Sequence, residues 1–391
     1  MKPSTYSLSV IGLCWALLAW LSGVQGQDAP CTTPLQKSGY CVPIQRCRNI
    51  YTLLSNPIPP SKGHANYIRK AACVLPDVTR SICCEPQEVV VQSPSPTATT
   101  ARTCPNRSTT SKLNLLPQEC GKAAEDRLSR ANVTKVFSYP WMAVIRYEVK
   151  GKIADRCGGS LINERYVLTA AHCIRTRREK LHSVVLGEHT KDQEIDCNVF
   201  HDERGNEIDR DCANPSESFG VESYAVHEEY NRPRFSNDIG LIRLNRDVTF
   251  ADHMRPLCLP VTAKLRRNVF DRYIVTGWGM TEHGAPSNVL LQATVPLVDN
   301  KECQQKLNQN RLNIKLSSKH MCAGGEDYVD SCSGDSGGPM GTFVDHRGVR
   351  FVQYGIVAAG VSSCGQLNVP GVYCRVADYM DWILDKIEPS C

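Results

Sequence analysis

Asp330-Ser331-Cys332-Ser333-Gly334-Asp335-Ser336-Gly337-Gly338-Pro339 sets a serine in a run of glycines toward the end of a 391-residue chain. Alone it reads as a turn. Two other segments change that reading. Leu168-Thr169-Ala170-Ala171-His172-Cys173 places a histidine beside a cysteine at the end of an apolar strand. Asn237-Asp238-Ile239-Gly240-Leu241-Ile242 sets a carboxylate against an apolar run. A serine hydroxyl is a poor nucleophile unless a base takes its proton as it attacks, and histidine titrates in the right range for that work. A carboxylate on the other ring nitrogen holds the useful tautomer and stabilises the imidazolium that follows. His172, Asp238 and Ser336 are therefore candidates to act as one unit.

Around these segments the chain is β-rich. Trp141 to Tyr147, Tyr166 to Thr169, Tyr273 to Thr276 and Phe351 to Val357 are short runs separated by Gly, Asn and Pro turns. Strands at that spacing predict an all-β barrel or sandwich of about 250 residues. Tyr379, Trp382, Ile383 and Ile387 recur near a 3.6-residue period and predict one closing helix. Upstream, Cys31, Cys41, Cys47, Cys73, Cys83 and Cys84 crowd a unit too small to bury much apolar surface, so cross-links must stabilise it. Their connectivity is open from spacing alone. Zinc is a poor alternative, since His64 is the segment's one histidine and adjacent Cys83-Cys84 chelates badly. Ser93 to Thr100 and Ser108 to Ser111 are rich in Pro, Ser and Thr and read as a tether.

Composition narrows the function classes. Hydrophobic residues at 41% and charged residues at 22% describe a globular chain. A net charge of +5 without a basic, aromatic-studded stripe excludes nucleic acid. Lys2, the apolar run Val10 to Leu21 and the small residues around Val24-Gln25-Gly26 read as a signal peptide over residues 1–26, cut after Gly26. A retained anchor is the alternative, but the run is short for a ~20-residue span and no membrane partner is expected. Twenty cysteines fit an oxidising compartment. Asn106-Arg107-Ser108 and Asn132-Val133-Thr134 are glycosylation acceptors.

In the order His, Asp, Ser, the three segments resemble those of the trypsin-like serine proteases, and the resemblance covers about two thirds of the chain, residues 128–391. It implies an all-β, chymotrypsin-like double six-stranded barrel with a C-terminal helix. It implies Ser336 as nucleophile, His172 as base and Asp238 as orienter, with the N–H groups of Gly334 and Ser336 as oxyanion hole. Asp330 falls where the family places the floor of its primary pocket, which implies cleavage after Arg or Lys. Gly360 and Gly371 match the pocket walls. Ala358-Ala359-Gly360 stands where the family usually reads Ser-Trp-Gly, and Ser333 where Gln is common; both departures touch the neighbouring subsites. The family's spacing puts the activating cut between Arg127 and Leu128, whose new ammonium would pair with Asp335. Leu128-Ser129-Arg130-Ala131 replaces the usual Ile-Val-Gly-Gly. A cut after Arg130 is the other candidate and would start three residues late.

Residues 27–86 resemble the clip domain of arthropod protease zymogens, with 87–127 as linker and activation segment. By that resemblance Cys31 pairs with Cys83, Cys41 with Cys73, Cys47 with Cys84, and Cys120 ties the light chain to Cys258. Family positions imply Cys157–Cys173, Cys303–Cys322 and Cys332–Cys364, and Cys197–Cys212 resembles an extra bridge of some clip proteases. Without Cys14 of the signal peptide the cysteine count is odd, so one of Cys104, Cys374 and Cys391 is a free or intermolecular thiol. Leu186 to Cys197 packs acids and a hydroxyl into one loop, which suits Ca²⁺ or is a plain solvated loop; family comparison favours Glu188 and Asp196 through side chains, Thr190 and Gln193 through carbonyls. Gly187-Glu188-His189, Val275-Thr276-Gly277-Trp278-Gly279, Leu290-Leu291-Gln292-Ala293 and Cys364-Gly365-Gln366 are similar to the grass-type insect clip proteases. That similarity implies a secreted haemolymph enzyme, activated by an upstream protease and cutting a downstream zymogen or pro-protein in Toll signalling or melanisation, with serpins as inhibitors. A non-catalytic clip adaptor, the rival class, typically lacks the nucleophile. A digestive trypsin needs neither a clip domain nor a tethered light chain.

Overall fold

The computed structural model describes residues 29–34, 36–48, 50, 62–75, 81–89, 112–123, 133–176, 179–231, 235–281, 285–325, 334–359 and 369–389. The chain divides into two compact units, Met1–Arg102 and Thr103–Cys391. Residues 1–26, Asn106, Arg127, Leu128, Arg130, Asn132, Asp330, Cys332, Ser333, Gly360, Cys364, Cys104 and Cys391 lie outside the described residues.

The first unit is an antiparallel sheet of β1 (Ala29–Thr32), β2 (Ser38–Pro43), β4 (Ser81–Cys84) and β3 (Ala72–Cys73), in that spatial order, with a helix over Lys62–Ala71. Its core is short: Val42, Cys47, Ile50, Ala71, Ile82 and Cys84. So little apolar burial cannot offset the chain entropy of ordering, and three disulfides cross-link the unit: Cys31–Cys83, Cys41–Cys73 and Cys47–Cys84.

The second unit holds two closed six-stranded barrels. Strands β5 (Met142–Val149), β6 (Lys152–Leu161), β7 (Tyr166–Thr169), β8 (Lys180–Leu186), β11 (Glu217–Val226) and β12 (Gly240–Leu244) close in the order β11-β12-β7-β6-β5-β8. Strands β13 (Arg272–Gly277), β14 (Leu291–Val298), β15 (His320–Ala323), β16 (Pro339–Asp345), β17 (Val349–Ala359) and β18 (Gly371–Arg375) close in the order β13-β14-β15-β18-β17-β16. Closure leaves no unpaired strand edge, and this decides the barrel over the sandwich. A disulfide-closed hairpin of β9 (Cys197–His201) and β10 (Glu207–Cys212) stands apart from both.

The barrels are welded along a seam. Trp141, Trp278 and Phe351 share one buried cluster drawn from both. Ser160 Oγ in β6 donates to Gln353 Oε1 in β17 at 2.7 Å, with both residues fully buried. Cys120 is bonded to Cys258 across a separation of 138 residues, and Gly121 donates to the Pro256 carbonyl at 2.8 Å, tying segment 112–123 to the barrels. The closing helix spans Met380–Lys386 after a 3-10 turn at Val376–Tyr379. Tyr379, Ile383 and Ile387 are buried as their period predicts, although Ile387 already lies beyond the helix in extended backbone. Among the described residues no helix is long and apolar enough to cross a membrane.

Candidate active site

Strand register brings the first two groups together. Antiparallel pairing of β7 with β12 sets Thr169 opposite Gly240, so the chain leaving one strand meets the chain entering the other. His172 sits in a single helical turn, Ala171–Ile174, directly after β7; Asp238 lies two residues before β12. Asp238 is fully buried and spends both oxygens on the same residue. Oδ1 accepts from the His172 backbone N–H at 2.9 Å and Oδ2 faces His172 Nδ1 at 2.7 Å. With Nδ1–H given to the carboxylate, Nε2 is the acceptor nitrogen. The His172 side chain remains 17% exposed, enough to meet a substrate. Cys157–Cys173 braces the turn, and the Cys173 carbonyl accepts from the buried Tyr147 hydroxyl at 2.6 Å. His172 with Cys157 and Cys173 has metal-like proximity, but the disulfide removes both thiolates from ligation.

The second barrel contributes the serine. The Ser336 carbonyl accepts from Gly158 N–H in β6 at 2.8 Å and lies 3.5 Å from Cys173 Sγ, so its turn is seated on the strand and turn that carry His172. A glycine makes that close approach possible. Gly337 has φ +80°, and a Cβ there would collide with Thr169 Oγ1 and fall 2.5 Å from the Gly158 carbonyl oxygen. Gly334 has φ +105°, a left-handed conformation that side chains disfavour. Asp335 accepts from Gly279 N–H at 2.8 Å, with no room for a Cβ on Gly277 or Gly279. Gly371 is buried at the start of β18, where it pairs with Ala323. Ala358 is buried in β17.

The acidic loop divides in two. Glu188 and Asp196 are buried, and each has one oxygen with a protein donor: Glu188 Oε2 from Ser216 Oγ at 3.1 Å, Asp196 Oδ2 from the N–H groups of His189 at 3.1 Å and Thr190 at 3.2 Å. Their other oxygens, Glu188 Oε1 and Asp196 Oδ1, are buried without a hydrogen-bond partner among the described residues. Burial pushes the Glu188 carboxyl above the usual carboxylate range, with the Ser216 hydroxyl opposing and the Asp196 charge adding to it. Thr190 accepts from Gln193 N–H through its carbonyl at 2.8 Å, closing the turn between them. Two buried acceptor oxygens from one loop, with exposed residues between them, are a fitting start of a donor set for a hard cation.

Among the described residues Cys374 is a buried thiol without a disulfide partner. Burial pushes it well above its usual range, and Asp238 adds to the shift. The spacing rules missed Phe235, whose ring meets the His172 ring edge-on at 6.3 Å.

His172 and Asp238 from one barrel and the Ser336 turn from the other thus meet at the seam of a chymotrypsin-like fold. The chain belongs to the trypsin family: residues 130–383 match the trypsin domain, and residues 31–84 match the regulatory CLIP domain of proteinases. It is 37% identical over 381 residues to Serine protease grass of Drosophila melanogaster, covering 93% of this chain and 94% of that one. It is also 37% identical to CLIP domain-containing serine protease B10 of Anopheles gambiae, covering 96% and 98%. The crystal structure of the Drosophila Grass clip serine protease of the Toll pathway superposes with a TM-score of 0.62 at 35% identity, over 92% of this chain and 97% of that one.

Proposed function

We propose that this clip-domain serine protease is a secreted zymogen, cut after Arg127 and then cleaving protein substrates after Arg or Lys in an extracellular proteolytic cascade. His172 accepts the Ser336 proton as the hydroxyl attacks the scissile carbonyl, and returns it to the leaving amine. Asp238 holds the ring and stabilises the imidazolium. The N–H groups of Gly334 and Ser336 receive the oxyanion; one such donor is typically worth ~10²–10³ in rate. Asp330 receives the basic side chain, Gly360 and Gly371 leave it room, and the Leu128 ammonium pairs with Asp335. The observation that carries this reading is the double contact of Asp238 with His172 beside the seated Ser336 turn.

Seven disulfides among the described residues favour an oxidising, extracellular setting. Relatives titled Melanization protease 1 and Spaetzle-processing enzyme, both of Drosophila melanogaster, support a cascade role, with an upstream protease, a downstream zymogen or pro-protein, and serpins as partners. Glu188 and Asp196, with the Thr190 and Gln193 carbonyls, would hold Ca²⁺, which would neutralise the buried acids and take no part in the chemistry. The test is limited trypsin treatment of the full chain, followed by N-terminal sequencing and hydrolysis of an Arg-ended chromogenic peptide. A heavy chain beginning at Leu128, with activity rising in step and absent in Ser336→Ala, supports the reading. A clean cut at Arg127 without activity overturns it in favour of an adaptor.

A further inference from the structure

Two non-glycine residues in the segment leading to Asp238 are in the left-handed region: Asn237 at φ +53° and Phe235 at φ +49°. Such conformations persist only where the surroundings hold them. The holding groups come largely from the other barrel and from the chain's end. Asn237 Oδ1 accepts from the Tyr379 hydroxyl at 3.0 Å and from Lys319 Nζ at 3.2 Å, while its Nδ2 donates to the Glu229 carbonyl at 3.1 Å. Lys319 directly precedes β15, and its ammonium also lies 5.2 Å from the centre of the Tyr379 ring. The next residue, buried His320, uses Nδ1 to accept from Ser317 N–H at 3.0 Å. That leaves Nε2–H to donate to the Phe235 carbonyl at 3.1 Å. Consecutive residues of the second barrel thus grip the segment that delivers Asp238 to His172 in the first.

We propose that Asn237, clamped by Tyr379 and Lys319, is a positioning residue: it fixes the backbone turn from which Asp238 presents both oxygens to His172. This rests on the proposed triad. The clamp gives the two barrels a shared grip on the geometry of a carboxylate that belongs to only one. Placement errors well away from the reacting atoms can cost up to ~10²-fold in rate.

The full-chain protein, activated by trypsin, is compared with Asn237→Gly, which keeps the left-handed backbone accessible but deletes the amide, and with Tyr379→Phe, which deletes one donor and keeps the ring. The expected result is a kcat for the Arg-ended peptide lower by about 10–100-fold in Asn237→Gly and about 3–10-fold in Tyr379→Phe, with KM within about 2-fold. A second readout needs no turnover. In a Ser336→Ala background, the low-field NMR resonance of the proton between His172 Nδ1 and Asp238 is expected to move upfield or vanish when Asn237→Gly is added. Unchanged kcat and an unchanged resonance in folded Asn237→Gly overturn the clamp. If that variant does not fold, Tyr379→Phe decides by the same two measures. Should the parent enzyme cleave nothing, the triad reading fails, while the resonance still answers whether Asn237 positions Asp238.

Discussion

Replacing Glu188 by Gln tests the acidic loop through a change of sign. In the parent, Glu188 Oε1 and Asp196 Oδ1 are both buried acceptors without a donor among the described residues, and a buried unpaired polar group costs about 1–3 kcal/mol. Without calcium, Glu188→Gln removes one of two neighbouring buried charges and supplies an amide donor, so the variant is expected to be more stable than the parent by about 1 kcal/mol. With calcium the order is expected to reverse. At free Ca²⁺ one hundred times the dissociation constant, binding to the folded state stabilises the parent by about 2.7 kcal/mol. For a unit of this size that raises the melting temperature by about 5–11 °C, and the variant loses most of the gain. The assay is thermal unfolding of both proteins in EDTA and across a calcium titration. Curves that keep the same order at every calcium concentration, or a parent that ignores calcium, would refute the cation reading and leave a plain acidic loop.

Asp238→Asn presents an amide to His172 and favours the wrong tautomer; kcat is expected to fall about 10⁴-fold in steady-state assays with folding intact. Gly337→Ala would drive a Cβ onto Thr169 Oγ1 and the Gly158 carbonyl, so activity should be lost together with a stability drop of about 1–3 kcal/mol, measured by denaturant titration. Paired Cys120→Ser and Cys258→Ser should release the light chain after cleavage on a non-reducing gel, whereas the parent keeps it attached. In the uncut chain, loss of that cross-link should cost about 5 kcal/mol from loop-closure entropy. Glu228 is held at about 2, below its ordinary value of 4.5, chiefly by its hydrogen bond to Lys386. Its contribution is therefore present above pH 4.5 and lost as pH falls through about 2. Because its side chain is 60% exposed, Glu228→Gln should cost no more than about 1 kcal/mol at pH 7 and nothing near pH 2 in denaturant unfolding.

Much of this protein was legible along the chain. Local covalent and conformational requirements write themselves into short motifs, so the turn around Ser336 shows its glycines and the strands show their apolar runs. The crowding of six cysteines likewise reports a unit too small for a core. Spacing alone, however, left barrel or sandwich open and left a free thiol unassigned. Closure of two six-stranded sheets settles the first, and for the second the fold buries Cys374 in β18 with no disulfide partner among the described residues. The clamp on Asn237 had no local signature, and the acids of Leu186 to Cys197 did not show which oxygens burial would leave without a donor. Lys319 and Tyr379 lie 82 and 142 residues from Asn237, and contacts over such separations exist only once strand register and barrel packing bring the segments together. Sequence alone determined which chemical groups this protein carries. Which of those groups touch is a property of the folded chain, because hydrogen bonding and desolvation act over a few ångströms of space irrespective of distance along the chain.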